Sequence, residues 1–401
     1  MSVDEVIVSA EAPRHSNTGE DRALAWLTAD AAIREERGVH RDPLIRRTTG
    51  SVGAAGINLA SNDYLGLSTD ARVVAGARDA LERWGAGATA SRLVVGTTEL
   101  HIDFEQQLAD FMGFPAALLF SSGYLANVGA ITALVGRGDL IVSDSGAHAS
   151  LIDGCRLSRA RVVVVDRGDH EAIRTILRDR TEERALVVTD AVYSIDGRLA
   201  PIAEFYAATR DHGAALIVDE AHGLGVRGPG GRGLVAEAGL AGAPDLIVTT
   251  VCSKSLGSQG GVVLGSHVVR SHLIDRARSF IFDTGLAPAA VGGARAALAV
   301  LQGDPTLPRR LHANAARLAD RCGAPEPESA VISLVVGDPH AAVAAAARCR
   351  QQGVLVGCFR PPSVPIGTSR LRLTVRADLD PATLDHVAEI VCAALESQGV
   401  R

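Results

Sequence analysis

Lysine occurs only once in this sequence of 401 residues, as Lys254, although Lys and Arg together number 40. Arginine can replace lysine where only a positive charge is needed, but its guanidinium stays protonated and cannot act as a nucleophilic amine. The single lysine is therefore either a candidate nucleophile or a residue retained by chance. It follows the apolar run DLIVTTV (245–251) and precedes a glycine-rich stretch, which would let the backbone approach a flat ligand. Burial there would lower the pKa of the amine and favour the neutral form that makes Schiff bases.

Three more clusters of polar residues follow apolar runs. Residues 121–123 (Ser-Ser-Gly) can open a helix whose free N–H groups bind a phosphate, although the same residues also commonly cap helices. Asp219 can keep a ring nitrogen protonated, with His222 on a neighbouring oxygen, or it can merely cap the next segment. His148 can stack on a planar ring, transfer a proton or be structural. Together with a lysine, these groups form the set that pyridoxal phosphate requires.

Composition and pattern disfavour several other classes of protein. The net charge of −6 and the lack of a basic stripe argue against a nucleic-acid partner, and no apolar run reaches the ~20 residues of a membrane span. The first residues lack the basic start and apolar core of a signal peptide, so a cytoplasmic protein is expected. The six cysteines form no CxxC pair and predict reduced thiols and no metal site. A GxGxxG pattern at 223–228 runs into RGPGGRG, which cannot open the helix that dinucleotide binding requires.

Short apolar runs alternate with helical stretches from residue 116 onwards. Such runs, rich in Val, Ile and Leu, are typical of strands that are buried on both faces of a sheet. The alternation predicts a largely parallel sheet with helices on both sides, so that the polar clusters meet at the carboxyl ends of its strands. The predicted strands are 116–120, 139–144, 161–166, 185–190, 214–220, 245–251 and 260–265, and the predicted helices between them are 123–136, 148–158, 169–180 and 201–212.

The pattern of predicted elements changes on both sides of this region of alternating strands and helices. Near residue 290 an Ala-rich helical segment (289–302) and a proline-containing break lead into the strands and helices of a smaller α/β lobe. The chain begins with an N-terminal arm that contains one amphipathic helix, whose apolar residues are Leu24, Leu27, Ala31 and Ile33. The predicted domains are therefore an N-terminal arm and helix (1–57), a large cofactor-binding domain (58–288), and a linking helix with a small C-terminal domain (289–401).

Eight motifs are ordered along the chain: SNDYLGLS (61–68), GAGATASRLVVGTTELH (85–101), FSSGYLAN (120–127), HASLIDG (148–154), VTDAVYSIDG (188–197), VDEAHGLGVRG (218–228), SKSLGSQGG (253–261) and RPPSVPIGTSRLRLT (360–374). They resemble the α-oxoamine synthases, which are pyridoxal-phosphate enzymes. The resemblance implies the aspartate-aminotransferase fold (fold type I), with a large α/β domain and a small C-terminal one. It also implies an acyltransferase that condenses L-alanine with pimeloyl-CoA or a pimeloyl-carrier protein, with loss of CO2, in a homodimer.

The resemblance also assigns roles to residues of the cofactor site. Lys254 is expected to form the Schiff base, Asp219 to pair with the ring nitrogen, and His148 to stack on the ring. These three are the expected catalytic residues. The other expected cofactor contacts are His222 on the ring hydroxyl, Gly123 and Tyr124 beside the phosphate or ring, Ser194, and Thr284, which would reach the phosphate of a partner subunit.

On the substrate side, Arg372 is expected to grip the carboxylate of the amino acid, a task for which the fork of guanidinium N–H groups is suited. Asn62, Ser363 and His148 are the further substrate-side residues that the resemblance implies. Arg-Arg is usual in the family after the first helix, on the acyl-substrate side. His40-Arg41 stands at this register here, so Arg41 is expected to contact the substrate.

A second departure from the family pattern lies beside the lysine. The family usually carries a threonine three residues before it, as a phosphate ligand, and Val251 stands there in this chain. Thr250 is expected to contact the cofactor in its place, with Ser253 as a further hydroxyl on the other side.

Three alternative functions remain open on the sequence alone. The same residues could serve a related synthase that uses glycine or serine with another acyl thioester. The chain could be a catalytically idle relative that binds pyridoxal phosphate, or it could be a plain aminotransferase.

Overall fold

Apolar runs of this chain form strands that are buried on both sides. In the strand Ala215–Asp219, Leu216 and Val218 pack in one hydrophobic core and Ile217 packs in a second one, because successive side chains of a strand point to opposite faces. The computed structural model describes residues 22–45 and 56–400, and the chain divides into a unit of residues 1–44 and a much larger unit of residues 45–401.

The strands are, in chain order, β1 Ile57–Leu59, β2 Ala116–Phe120, β3 Leu140–Asp144, β4 Arg161–Val165, β5 Ala185–Asp190, β6 Ala215–Asp219, β7 Leu246–Val251, β8 Gly261–Gly265, β9 Val331–Gly337, β10 Val354–Phe359 and β11 Ser369–Thr374. The helices are α1 Trp26–Glu36, α2 Ala71–Trp84, α3 Glu99–Met112, α4 Gly123–Leu134, α5 Ala149–Ser158, α6 His170–Asp179, α7 Ile202–Asp211, α8 Leu234–Glu237, α9 His267–Arg276, α10 Arg278–Ile281, α11 Pro288–Gly303, α12 Leu307–Arg321, α13 Pro339–Gln351 and α14 Pro381–Glu396.

The larger sheet has seven strands in the spatial order β2–β8–β7–β6–β5–β3–β4. Only β8 runs antiparallel to its neighbours, so the carboxyl end of β2 lies at the same edge as the carboxyl ends of the parallel strands. Helices α4, α5, α9 and α10 share the core on one face of the sheet, and α3, α6, α7 and α11 share the core on the other. The predicted, mostly parallel sheet with helices on both sides is confirmed.

Register within this sheet brings polar residues to one edge. Asp190 of β5 pairs with Asp219 of β6, which in turn pairs with Thr249 of β7. Each of these residues stands at or near the carboxyl end of its strand, which is where ligands bind in open parallel sheets. The turn that carries Lys254 follows directly after β7.

A second sheet of four strands is formed in the order β1–β10–β11–β9. The short strand β1 is parallel to β10, whereas β11 is antiparallel to both β10 and β9. Arg372 of β11 stands opposite Gly357 of β10 and Ser333 of β9. The predicted strands and helices of a smaller C-terminal α/β lobe are present, while the predicted domain boundaries at 57/58 and 288/289 stay predictions.

Helices α2 and α3 are not predicted by the alternation of runs, which begins only at residue 116. Residues that cap or end a helix nevertheless mark the ends of α2 and α3. The Asp70 carboxylate accepts a hydrogen bond from the Arg72 N–H at the start of α2, and Thr98 and His101 form a capping box at the start of α3. Gly113 ends α3 in a left-handed conformation with φ of 78°.

The N-terminal unit contains a short turn, Arg22–Leu24, and helix α1, as predicted. Leu24, Leu27 and Ile33 on this unit are exposed. Residues 1–21, on which the expectation about a signal peptide rests, and residues 46–55 lie outside the described residues. In the ranges that the structure covers, no helix combines the length and the apolar character needed to cross a bilayer.

Candidate active site

Lys254 lies in a turn between β7 and β8, close to the carboxylates at the edge of the sheet. Its carbonyl accepts a hydrogen bond from the Gly257 N–H at 2.9 Å. A Cβ atom on Gly257, whose φ is +57°, would stand 2.4 Å from the backbone nitrogen of Ser68, so only glycine allows this turn to lie against that segment. Burial lowers the pKa of Lys254 to about 8, although the carboxylates of Asp219 and Asp190 act in the opposite direction. A sizeable fraction of the amine is therefore neutral near physiological pH.

Asp219 is a buried carboxylate with fixed hydrogen bonds. One oxygen, Oδ1, accepts from the Ala221 N–H at 2.8 Å, and the other, Oδ2, accepts from Nδ2 of Asn127 at 2.7 Å. The side chain is 5% exposed. A carboxylate held in this way is suited to a protonated ring nitrogen, and this role of Asp219 stays a prediction.

His148 stands at the first position before α5, where its Nδ1 atom lies 2.8 Å from Oγ of Ser150. Loss of water around the ring lowers its pKa, and the charge of Lys254 acts in the same direction, while Asp219 and Asp153 oppose them. The charges of Asp219 and Lys254 thus both act on the His148 ring. Its neutral form is favoured there.

The predicted phosphate cradle is the start of α4. Ser122 caps this helix, since its Oγ accepts a hydrogen bond from the Leu125 N–H at 3.2 Å. Within the part of the chain that the structure covers, no acceptor lies against the backbone N–H groups of Gly123 and Tyr124. The two groups are therefore available to an anion at the positive end of the helix dipole. The Tyr124 hydroxyl itself donates to Asp153 at 2.8 Å.

Val251 packs directly against this cradle. A Cβ atom on Gly123 would stand 2.2 Å from Cγ1 of Val251, so the valine fills the space beside the glycine. Thr250 is buried and its hydroxyl donates to the Glu220 carbonyl at 3.3 Å, on the backbone next to it. Ser253 is exposed. The role of Thr250 as a cofactor contact stays a prediction.

Arg372 is buried and contacts two other predicted residues, Ser194 and Asn62. Its Nε atom donates to the Ser194 carbonyl at 2.7 Å, and one terminal nitrogen donates to Oδ1 of Asn62 at 3.0 Å and to Oγ1 of Thr374 at 2.9 Å. The guanidinium also lies 5.5 Å from the centre of the Phe359 ring. These contacts fix the orientation of the guanidinium before any ligand arrives, which suits it to bind a carboxylate.

Tyr64 is a residue of this site that the sequence analysis does not single out. It is fully buried, and its hydroxyl contacts Nδ1 of His222 and lies 3.3 Å from Oδ1 of Asn62. Burial raises the pKa of Tyr64, whereas burial and the charges of Lys254 and Arg372 lower the pKa of His222 well below its usual range. A protonated phenol therefore faces a neutral imidazole. The motif SNDYLGLS contains Tyr64, but nothing in the sequence shows that it meets a residue 158 positions away.

Two buried carboxyl groups were also not predicted as part of the site. Burial raises the pKa of Asp190 well above its usual range, the charge of Asp219 adds to this effect, and its Oδ2 atom has no partner among the described residues. Glu220 accepts a hydrogen bond from the Val235 N–H at 2.6 Å, and burial raises its pKa to about 7. Asp190 could have been found from the sequence by its position at the end of the apolar run ALVVTD.

Three predicted substrate and cofactor residues are exposed. Ser363 is exposed in the loop between β10 and β11. Thr284 is exposed and forms an isolated antiparallel bridge with Ser91. Arg41 belongs to the N-terminal unit. Their roles stay predictions.

The residues present fit pyridoxal phosphate. The start of α4 offers two unpaired N–H groups for a phosphate, and Asp219 offers a fixed carboxylate for a ring nitrogen. Lys254, with a pKa of about 8, offers an amine. Two buried side-chain oxygens near Asp219, Oδ1 of Asn127 and Oδ2 of Asp190, also lack a partner within the described ranges, as is expected of a site that is completed by a polar ligand.

Comparisons with known proteins agree with this chemistry. Residues 54–391 match the profile of the family "Aminotransferase class I and II". The 8-amino-7-oxononanoate synthase of Mycobacterium sp. (strain JLS) is 59% identical over 373 residues, which are 93% of this chain and 97% of that protein. The protein of the same name from Mycobacterium tuberculosis (strain F11) is 58% identical over 377 residues, or 94% of this chain and 96% of that protein.

Solved structures show the same fold. The serine palmitoyltransferase of Sphingomonas wittichii superimposes with a TM-score of 0.88 at 32% identity and covers 94% of this chain and 98% of its own. A serine palmitoyltransferase from S. paucimobilis, solved with a bound PLP–myriocin aldimine, gives the same TM-score of 0.88 at 31% identity and covers 94% of this chain and 99% of its own. The predicted fold type I architecture and the predicted cofactor are thereby confirmed.

Proposed function

The chain belongs to the class I and II aminotransferase family and, within it, to the 8-amino-7-oxononanoate synthases, and from this membership we propose that it condenses L-alanine with pimeloyl-CoA or a pimeloyl-carrier protein. It is a pyridoxal-phosphate enzyme. The proposed product is 8-amino-7-oxononanoate, an intermediate of biotin biosynthesis. The observation that carries the proposal is the convergence of the only lysine, a fixed carboxylate and a preorganised arginine at one edge of the sheet.

Bound pyridoxal phosphate supplies an aldehyde for imine formation and a ring that takes up electron density. Gly123 and Tyr124 would hold its phosphate with their N–H groups, and Asp219 would keep its ring nitrogen protonated. Lys254 would hold the aldehyde carbon of the cofactor through its amine, and the free amine would serve as a base. Its pKa of about 8 suits both tasks, because a base works best when its pKa is near the operating pH.

Arg372 positions the amino acid. Its guanidinium holds the α-carboxylate of alanine, with the Asn62 amide beside it, and so presents the Cα–H bond to Nζ of Lys254. Nζ takes the Cα proton, and the electron pair left on Cα attacks the thioester carbon. The thiol leaves and gains a proton, the carboxylate departs as CO2, and a proton returned to Cα completes the aminoketone.

We further propose that the protein works as a homodimer. Val94, Val95 and Phe282 are 72%, 70% and 70% exposed, and the segments that carry them adjoin, since Ser91 bridges to Thr284. Exposed apolar side chains in such a group are typical of an interface. A partner that covers them would meet Thr284, which supports its predicted role at the other subunit's phosphate. The cytoplasm is the proposed compartment, because the cysteines form no disulfide within the described ranges, as in a reducing environment.

The decisive experiment is mass spectrometry of the product formed from alanine and pimeloyl-CoA, run beside the release of CO2 and of thiol. Parallel reactions with glycine, serine and other acyl thioesters identify the substrate, since one methylene changes discrimination by only about 1–3 kcal/mol. Formation of pyridoxamine phosphate with alanine alone would instead indicate a plain aminotransferase. Absence of any condensation product, with cofactor bound, would indicate the catalytically idle relative.

A further inference from the structure

Asn127 and Ser150 link the two cofactor-facing groups of the site. Asn127 is buried on α4, and Ser150 is buried at the start of α5. Nδ2 of Asn127 lies 2.7 Å from Oδ2 of Asp219 and 2.8 Å from Oγ of Ser150. Oγ of Ser150 in turn lies 2.8 Å from Nδ1 of His148. A continuous row of hydrogen bonds therefore runs from a carboxylate on β6 to an imidazole that precedes α5.

The direction of every hydrogen bond in this row follows from the chemistry of its members. The amide nitrogen of Asn127 can only donate, and its two protons serve Asp219 and Ser150. Because the Ser150 hydroxyl accepts from Asn127, its single proton is left for Nδ1 of His148. The backbone N–H of Ser150 also points at this nitrogen, at 3.3 Å. Nδ1 is thus an acceptor from two donors, and the proton of the neutral ring must sit on Nε2.

We propose that Asn127 and Ser150 are positioning residues that hold His148 in the neutral tautomer with the proton on Nε2 and tie its ring to the Asp219 carboxylate. This inference rests on the proposed function for the roles of His148 and Asp219 toward pyridoxal phosphate. The two groups proposed to contact the cofactor, Asp219 and His148, are then linked through the single amide of Asn127. Movement of either is transmitted to the other.

The charges around His148 are consistent with this assignment. Asp219 on β6, Lys254 after β7 and Asp153 on α5 all act on the ring. Asp219 and Asp153 favour a charged imidazole, whereas burial and Lys254 oppose it. Two donors aimed at Nδ1 add to the opposition, because a protonated Nδ1 could accept neither.

A double-mutant cycle on cofactor affinity tests the linkage. Asn127→Ala, Ser150→Ala and the double variant are stripped of cofactor, and the dissociation constant of pyridoxal phosphate is measured by fluorescence. Asn127→Ala should weaken binding about tenfold and Ser150→Ala about threefold, as expected for hydrogen bonds to charged and neutral partners. The double variant should bind no worse than Asn127→Ala alone, because both changes break the same row. A product of the two effects, about thirtyfold, would refute the linkage.

Ser158→Ala is the matched control, since Ser158 is also buried on α5 but its hydroxyl donates to the Cys155 carbonyl, at 2.7 Å. It should bind the cofactor like the wild type. Ser150→Cys keeps a weak donor and should lie between wild type and Ser150→Ala. If Ser158→Ala weakens binding as much as Ser150→Ala, the effect is one of helix packing and the proposal falls.

Nitrogen NMR of labelled histidines gives a second readout, with the His148 signal identified by its loss in His148→Gln. The wild type should show an unprotonated Nδ1 and a protonated Nε2, and Ser150→Ala should show a mixture of tautomers. A protonated Nδ1 in the wild type would overturn the inference. Neither measurement depends on condensation activity, so a failure of the proposed reaction and a failure of this linkage are distinguishable.

Discussion

The amine of Lys254 should titrate far below an ordinary lysine, and this chain allows a direct measurement because no other lysine interferes. Burial lowers its pKa from 10.5 to about 8. At pH 7 this change raises the neutral, reactive fraction about 300-fold, to about one amine in ten. Trace acetylation of the cofactor-free protein, followed across pH by mass spectrometry of the peptide that contains Lys254, reports this pKa separately from that of the N-terminal amine.

Two variants should move the transition in opposite directions. Asp219→Asn removes the largest charge that stabilises the ammonium form, so the pKa should fall below that of the wild type. Arg372→Gln removes a positive charge that destabilises the same form, so the pKa should rise. Asp211→Asn is the control, because Asp211 pairs with Arg174 at the surface and should leave Lys254 unchanged.

The directions of these pKa shifts test whether burial and the named charges set the pKa of Lys254. A wild-type transition near 10.5 would mean that the amine is not desolvated, and the account of its reactivity would be wrong. A rise in Asp219→Asn, or a fall in Arg372→Gln, would mean that the charges named here are not those that the amine experiences. The size of the shifts falls with added salt only to the extent that solvent reaches the site.

Three further perturbations follow from contacts of the site. Gly123→Ala should weaken pyridoxal phosphate binding at least about tenfold, because its Cβ would stand 2.2 Å from Cγ1 of Val251. Adding Val251→Ala should restore most of the affinity. Unchanged binding in Gly123→Ala would contradict this. Tyr64→Phe should raise the KM for alanine about tenfold, since it removes a buried hydrogen bond beside Asn62 and His222, while Tyr206→Phe, which loses a bond to the Pro244 carbonyl, should not. Burial raises the pKa of Glu220 in the folded protein from 4.5 to about 7, so the unfolding free energy of the wild type should fall by up to about 3 kcal/mol as pH rises through that range. Urea denaturation of Glu220→Gln should show a weaker dependence of the unfolding free energy on pH. An equally steep dependence in that variant would exclude Glu220 as the cause.

Strand ends were the part of the site that could be predicted from the sequence. Lys254, Asp219 and the start of α4 each follow a run of apolar residues, and the register of a parallel sheet brings such positions to one edge whatever the detailed packing. Arg372 was predicted through a family motif. The structure adds that β11 carries it on the same face as Thr374, so the strand itself aims the guanidinium toward Asn62 and Ser194.

Tyr64, Asn127 and Ser150 could not be predicted in this way because their significance lies in contacts between distant parts of the chain. Asn127 meets Asp219 across 92 residues, and Tyr64 meets His222 across 158. In sequence, each is a polar residue within a partly apolar stretch, which is equally compatible with a cap or a solvated position. Only the packing of α4 and α5 on the same face of the sheet brings Asn127 and Ser150 into one hydrogen-bonded row.

The valine that replaces the usual threonine at position 251 changes how the phosphate cradle is built. The hydroxyl of Thr250 donates to the Glu220 carbonyl, and its contact with the phosphate stays a prediction. The unpaired N–H groups of Gly123 and Tyr124 remain, and backbone donors at a helix start bind an anion whatever side chain lies nearby. Val251 also fills the space that a side chain at position 123 would need, so the two positions are coupled: with valine at 251, the cradle depends on glycine at 123. Val251→Thr should therefore tighten cofactor binding without disturbing the fold, since Val and Thr have nearly the same shape, and weaker binding in that variant would show that the pocket has adapted to an apolar wall.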